Sequence, residues 1–241
     1  MKTMHNTGRG AALLVGAALI LVVLWGAAAA QQPTQEERIA AVKQSMAASQ
    51  EALKGYQWTE STTVLYKGEE KSHSQAKCYY GDDGAVVQEP LGAPPEEHKK
   101  KRGLRGHKAD KKMEEIKEYM GRAKALIATY VPPNPENIQK CKDAGKISIE
   151  VVEPNKRIVL RMKDYQLAGD SVGIEVDLTT NTMTGYDVAS YLDSPDAAVK
   201  LNVTFDKLED GTIYPVETVL DAEAESIKVE ITNTDYRHAG N

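Results

Sequence analysis

The chain has 241 residues, 41% of them hydrophobic and 27% charged, with a formal net charge of −5 and two cysteines. That length supports one domain with a sizeable core, and two cysteines are too few for a scaffold built on disulfides. The acidic balance argues against general nucleic-acid binding.

Residues 1–30 read as a targeting segment rather than as part of a fold. Lys2 and Arg9 precede the apolar run AALLVGAALILVVLW, and Ala28, Ala29 and Ala30 offer a small-residue cleavage site. A secretory signal peptide removed after Ala30 is the expectation, with an uncleaved anchor as the alternative. No cysteine lies near the cleavage point to carry a lipid. Residues 31–241 then form a single exported domain of the periplasm, free of the membrane once cleaved. In that compartment Cys78 and Cys141 are expected to pair; the disulfide would stabilise the fold by about 4 kcal/mol. Two unrelated buried thiols are the other reading.

Taken in order, residues 35–54 present Ile39, Val42, Met46 and Leu53 on one face of a helix that Gly55 ends. Three strands follow: YQWTESTTVLY from Tyr56, then residues 72–80 and 85–89, joined by the hairpin signal Asp82-Asp83-Gly84. Residues 90–109 read as a long basic loop with glycines at 103 and 106 as hinge points. The segment 98–112 holds eight Lys/Arg against the single acid Asp110. Residues 110–131 carry the strongest periodic signal in the chain. Met113, Ile116, Met120, Ala123, Ile127 and Tyr130 recur at three- and four-residue steps, which makes an amphipathic helix of about six turns. After a proline-rich break, a short helix spans residues 136–143. From Ile147 onward period-two alternation gives six or seven further antiparallel strands, with turns at Asn155, Asn181 and Asp210-Gly211.

Those strands have one apolar and one polar face, and no second run of strands is left to cover the apolar one. The cover must come from curling of the sheet and from the two long helices. The expected fold class is α+β: a strongly curved antiparallel β-sheet, an unclosed barrel, with the N-terminal and central helices covering its concave face.

Chemistry-bearing motifs are sparse. Gly169-Asp170-Ser171-Val172-Gly173 matches G-x-S-x-G, but a strand rather than a helix follows Ser171, so a turn is the favoured reading over a serine hydrolase. The histidines and cysteines show no metal-ligand spacing and no Gly-rich phosphate loop is present, so neither metal, cofactor nor catalytic residue is assigned. The stripe residues Met113, Ile116, Met120, Ile127 and Tyr130 are candidates to line an apolar ligand; as plain core they would only plug the sheet. Lys99, Lys100, Lys101, Arg102 and Arg105 are candidates to meet lipid headgroups or an acidic partner at a peripheral membrane contact, or else form a solvated loop.

The strings Tyr56-Gln57-Trp58, Gly169-Asp170 and Asp210-Gly211-Thr212-Ile213-Tyr214-Pro215, set in this order of elements, resemble the LolA-like superfamily of periplasmic lipoprotein carriers and sensors. The likeness covers roughly residues 34–237 and is carried by architecture. It implies a non-catalytic envelope protein whose half-barrel holds acyl chains or a lipidated partner beneath a helical lid. A sensor or protein-interaction domain of the same fold with a filled core is the alternative. Oligomeric state is left open.

Overall fold

In the computed structural model, residues 35–92 and 104–239 are described. Helix α1 (Gln35–Leu53) leads into β1 (Tyr56–Tyr66), β2 (Glu69–Tyr80) and β3 (Val86–Leu91). Helices α2 (Leu104–Ala128) and α3 (Pro135–Asp143) follow. The chain then runs through β4 (Ile147–Glu153), β5 (Arg157–Lys163), β6 (Ser171–Asp177), β7 (Thr182–Tyr191), β8 (Ala198–Lys207), β9 (Ile213–Ala222) and β10 (Ile227–His238).

The strands form one ten-stranded sheet in the order β3-β2-β1-β10-β9-β8-β7-β6-β5-β4. The last strand therefore returns to pair with the first, and both blocks of strands join in one sheet. The edges β3 and β4 stay apart, so the barrel is not closed. This is the expected α+β architecture.

Strict alternation sets the faces. In β8, Val199, Leu201, Val203 and Phe205 are buried while Lys200, Asn202, Thr204 and Asp206 are exposed. The register aligns such residues into rows. Ile147, Met162, Val172, Val188, Leu201, Leu220, Val229 and Val64 are successive cross-strand neighbours from β4 to β1. On β2 the same row continues as Ser72. Each buried aliphatic side chain in such a row contributes about 1.5–3 kcal/mol of transfer free energy, so the register cannot slip without exposing the whole set.

Turn chemistry supports that register. Lys67 and Gly68 both have positive φ, 54° and 77°, between β1 and β2. That is the two-residue hairpin geometry that matches strand twist, and Gly68 adopts it without a Cβ penalty.

The helices provide the cover. Val42 and Met46 of α1, Ala123 and Ile127 of α2 with the following Tyr130, and Ile138 and Cys141 of α3 share one core with the strands β5 to β10. Ser49 Oγ of α1 also accepts from Ile213 N at 2.9 Å. α3 starts on a capping Asn134, whose side chain accepts from Glu136 N at 2.8 Å, with Pro135 in its first turn.

Helix α2 differs from the expected bounds. It begins at Leu104, so the segment from 104 to 109 that reads as loop is helical, and Gly106 lies inside the helix instead of acting as a hinge. Leucine, arginine, lysine and alanine all favour helix, which outweighs the cost of about 1 kcal/mol for one glycine. The helix stops at Ala128, where Thr129 Oγ1 donates to Leu126 O at 2.7 Å.

Candidate functional site

Helix α2 and its continuation divide the expected ligand stripe into two parts. Ile127 and Tyr130 are buried with Ala123 in the common core. Met120 and Leu126 lie against that core from partly exposed positions, and Ile116 and Tyr119 are half-buried. The Met113 side chain lies outside the described residues. On the polar face Arg122 pairs with Asp193 at 2.5 Å. Both side chains are well exposed, so the pair contributes little to stability.

Tyr130 ends the stripe in a buried polar knot. Its hydroxyl donates to Asp170 Oδ2 at 2.6 Å and sits 2.8 Å from Ser190 Oγ, while its carbonyl accepts from the Tyr186 hydroxyl at 2.7 Å. Asp170, 2% exposed, also accepts from the backbone N–H groups of Tyr165, Gln166 and Leu167. A carboxylate is too costly to bury alone, and here loop amides and a phenol satisfy it. Burial, then the Asp170 bond, pushes the Tyr130 phenol far above its ordinary range, so it stays a donor. Burial raises Tyr165 to about 12, and its hydroxyl contacts both the N–H and the C=O of Asn134 ahead of α3. Tyr130 thus ties α2 to the β5–β6 loop and to β7. The Gly169-Asp170 string is visible in the sequence, but its partner is forty residues away and carries no local mark.

A second region was not visible in the sequence as a site. Among the described residues, the common core stops short of the β10-β1-β2-β3 end. Val64 and Ile231 only fringe the core, and on β2 residues 69–75 are exposed. On this core-facing side Glu60 stands opposite Asn233 and Ala76, and Gln88 Nε2 of β3 donates to its carboxylate at 2.9 Å. Burial pushes the Glu60 carboxyl above the ordinary range, with the Thr62 hydroxyl pulling the other way. Two strand positions away, Trp58 stacks on Tyr236 with ring centroids 5.5 Å apart, and Tyr236 packs on Tyr214 at 4.4 Å. Trp58 Nε1 and Asn233 Oδ1 are buried without a hydrogen-bond partner among the described residues. Alternation is the signal that could have found Glu60: it is in phase with Trp58 and Val64, on the side where a strand of this fold places apolar residues.

The remaining sequence candidates fare differently. Lys99, Lys100, Lys101 and Arg102 lie outside the described residues, and Arg105 falls in the helical backbone of α2. The expected disulfide is corrected: Cys78 and Cys141 are two free, buried thiols. Cys78 sits on β2, and Cys141 on α3 donates to Lys163 O of β5 at 3.7 Å. Seven strand steps separate β2 from β5 in the sheet order, so no strand pairing brings the two thiols side by side, as a disulfide with its Cα separation under about 7 Å requires. Burial and the nearby Glu60 raise the Cys78 thiol to about 12, which leaves it protonated and unreactive.

Ser171 opens β6 opposite Lys163 and Ala189. With a strand behind it, the tight strand-to-helix turn of a nucleophile elbow is absent there. Gly173 has a different cause. It lies between Arg161 and Asp187, whose ion pair crosses directly over it, and a Cβ would overlap both. Arg161 also reaches Glu150, while Arg157 joins Glu153 and Glu175, so the outer face of β4 to β7 is a charged lattice. Among the described residues no three His, Cys, Asp or Glu side chains gather as a metal site, and no helix is long and apolar enough to cross a membrane.

No protein-family model matches the chain, and no curated protein matches it by sequence. Solved structures do match by shape. A LolA superfamily protein from Nitrosomonas europaea is 7% identical with a TM-score of 0.37, covering 83% of this chain and 94% of that one. A DUF1329 family protein from Desulfovibrio piger is 11% identical with a TM-score of 0.39, covering 84% and 93%. A domain from Vibrio parahaemolyticus named for outer membrane lipoprotein sorting is 11% identical with a TM-score of 0.36, covering 81% and 91%. The superfamily resembled from the sequence, LolA-like, is the one that the first of these structures names.

Proposed function

We propose that this chain is a non-catalytic, exported protein of the periplasm that holds an apolar ligand, or the acyl part of a lipidated partner, on the part-covered side of its half-barrel. One observation supports this reading above others: Val64, Ile231, Met120 and Leu126 all pack on the buried core from partly exposed positions. An apolar fringe beside a sheet side whose cover ends is where an acyl chain would gain from burial, at about 0.8 kcal/mol per CH₂. The contacts are borne by Met120 and Ile116 of α2, and a methionine adapts readily to such a guest. Ile127 and Tyr130 serve as the floor instead. Met113 remains a proposed ligand contact of the same stripe, and Lys99, Lys100, Lys101, Arg102 and Arg105 are proposed to meet headgroups or a membrane surface.

Mass spectrometry of an organic extract and titration with a fluorescent fatty acid test the reading. Met120→Asp, at a half-buried position, is expected to cost about 1–2 kcal/mol of stability and to weaken probe binding by about tenfold or more. An empty extract together with no fatty-acid binding by the parent chain would sink it. The filled core beneath Ala123, Ile127 and Tyr130 favours a second reading, a sensor or interaction domain that docks partners without a ligand.

A further inference from the structure

The two edges that the sheet leaves unpaired among the described residues are built differently. β3 ends in Glu89, Pro90 and Leu91, and a proline beside a charge is a common guard against further strand pairing. β4 reads ISIEVVE and carries neither proline nor lysine. Its Val151 is 64% exposed and its Val152 48%.

The hydrogen-bond phase of β4 follows from its partner. Lys163 N donates to Lys146 O at 3.0 Å, and the register runs Ile147↔Met162, Ser148↔Arg161, Ile149↔Leu160, Glu150↔Val159, Val151↔Ile158. Bonded pairs alternate along an antiparallel ladder. Ser148 and Glu150 therefore direct their backbone groups toward β5, and Ile147, Ile149 and Val151 direct theirs to the open edge. These three are also the residues in phase with each other on the core-facing side, opposite Met162, Leu160 and Ile158. The bulge between Val151 and Glu153 then ends the flat stretch.

We propose that β4 pairs antiparallel with β4 of a second copy of this chain, with Ile149 on the twofold axis. This register uses every outward-facing residue of the flat stretch. It sets Ile149 against Ile149 of the second copy and Ile147 against that copy's Val151, covering the most exposed valine with an isoleucine. On the other face Ser148 meets Glu150, so no like charges oppose each other. Moving the axis to Glu150 would set that glutamate against itself and push Ile147 opposite Glu153, beyond the bulge. The sheets of the two copies become continuous, and the interface is isologous, as a twofold requires.

Sedimentation equilibrium on the purified chain from about 10 µM to about 1 mM tests this, since an edge pair of this size is at the small end of stable interfaces. The expected result is a monomer–dimer equilibrium. Where nine-tenths of the chain is paired, exchange of the Ile147, Ile149 and Val151 amides should slow by about tenfold. Val151→Lys, at an exposed position that folding tolerates, is expected to restore the monomer, whereas Leu91→Lys on β3 leaves the dimer intact. A monomer throughout, with fast exchange at those amides, overturns the proposal, as does a dimer that is indifferent to Val151→Lys or equally lost in Leu91→Lys.

Discussion

Replacing Tyr130 by phenylalanine separates an anchor from a ligand contact. The ring is fully buried and stays in place, so the change removes only a hydroxyl bonded to Asp170 and Ser190. Asp170 retains its three backbone donors but loses one charge-assisted bond in a buried site, and Ser190 loses its partner in the pair. A bond of that kind is worth about 2 kcal/mol. For a domain of this size the thermal midpoint should fall by about 4–8 °C. Urea unfolding should show the same loss with an unchanged slope, because the surface exposed on unfolding does not change. Combining the change with Asp170→Asn should cost less than the sum of the two, since both disrupt one network. The anchor role is refuted if Tyr130→Phe leaves the midpoint within about 1 °C of the parent while fatty-acid binding is lost. The hydroxyl would then be serving a ligand rather than the fold.

The Glu60 carboxyl titrates above its ordinary 4.5 in the folded chain because burial disfavours its charge. The native state therefore binds this proton more tightly than the unfolded chain, and stability falls as pH rises from 4.5 through the raised value. Glu60→Gln should remove that slope and raise the midpoint near neutral pH, with the gain vanishing below pH about 4; thermal melts at a series of pH values check this, and a gain of equal size at every pH would contradict it. On the outer face, Gly173→Ala forces a Cβ into the Arg161–Asp187 pair and is expected to cost about 1–3 kcal/mol in urea unfolding. Ser171→Ala, beside it, should stay within about 0.5 kcal/mol. Equal effects at both positions would remove the account given of the glycine.

Strands, the first helix and the α+β class were legible because each rests on a local period. Val199 to Phe205 alternate, and alternation alone decides which side of a strand is apolar. The need for helical cover followed from the same count, since a one-sided sheet must bury that side. The start of α2 was not legible: a lysine-rich, glycine-bearing segment is compatible with loop or helix, and hydrophobic periodicity is silent before Met113. The cysteine pairing was misjudged for a different reason. Compartment and parity speak only to whether a disulfide is chemically allowed, while the return of β10 to β1 is what carries Cys78 to the opposite end of the sheet from Cys141.

Site residues divide along the same line. Which residues of the α2 stripe face the core follows from a 3.6-residue period, but how deeply each is buried depends on where the helix meets the sheet. That crossing turned Ile127 and Tyr130 into core and left Ile116 and Met120 at its margin. Asp170 and Tyr130, or Glu60 and Gln88, are pairs whose members lie far apart in the chain. Sequence determined the composition of each face of each element. Only the closure of the strand order, β1 against β10, decided which faces met and where their cover ended, because non-local contacts depend on topology rather than on any local preference.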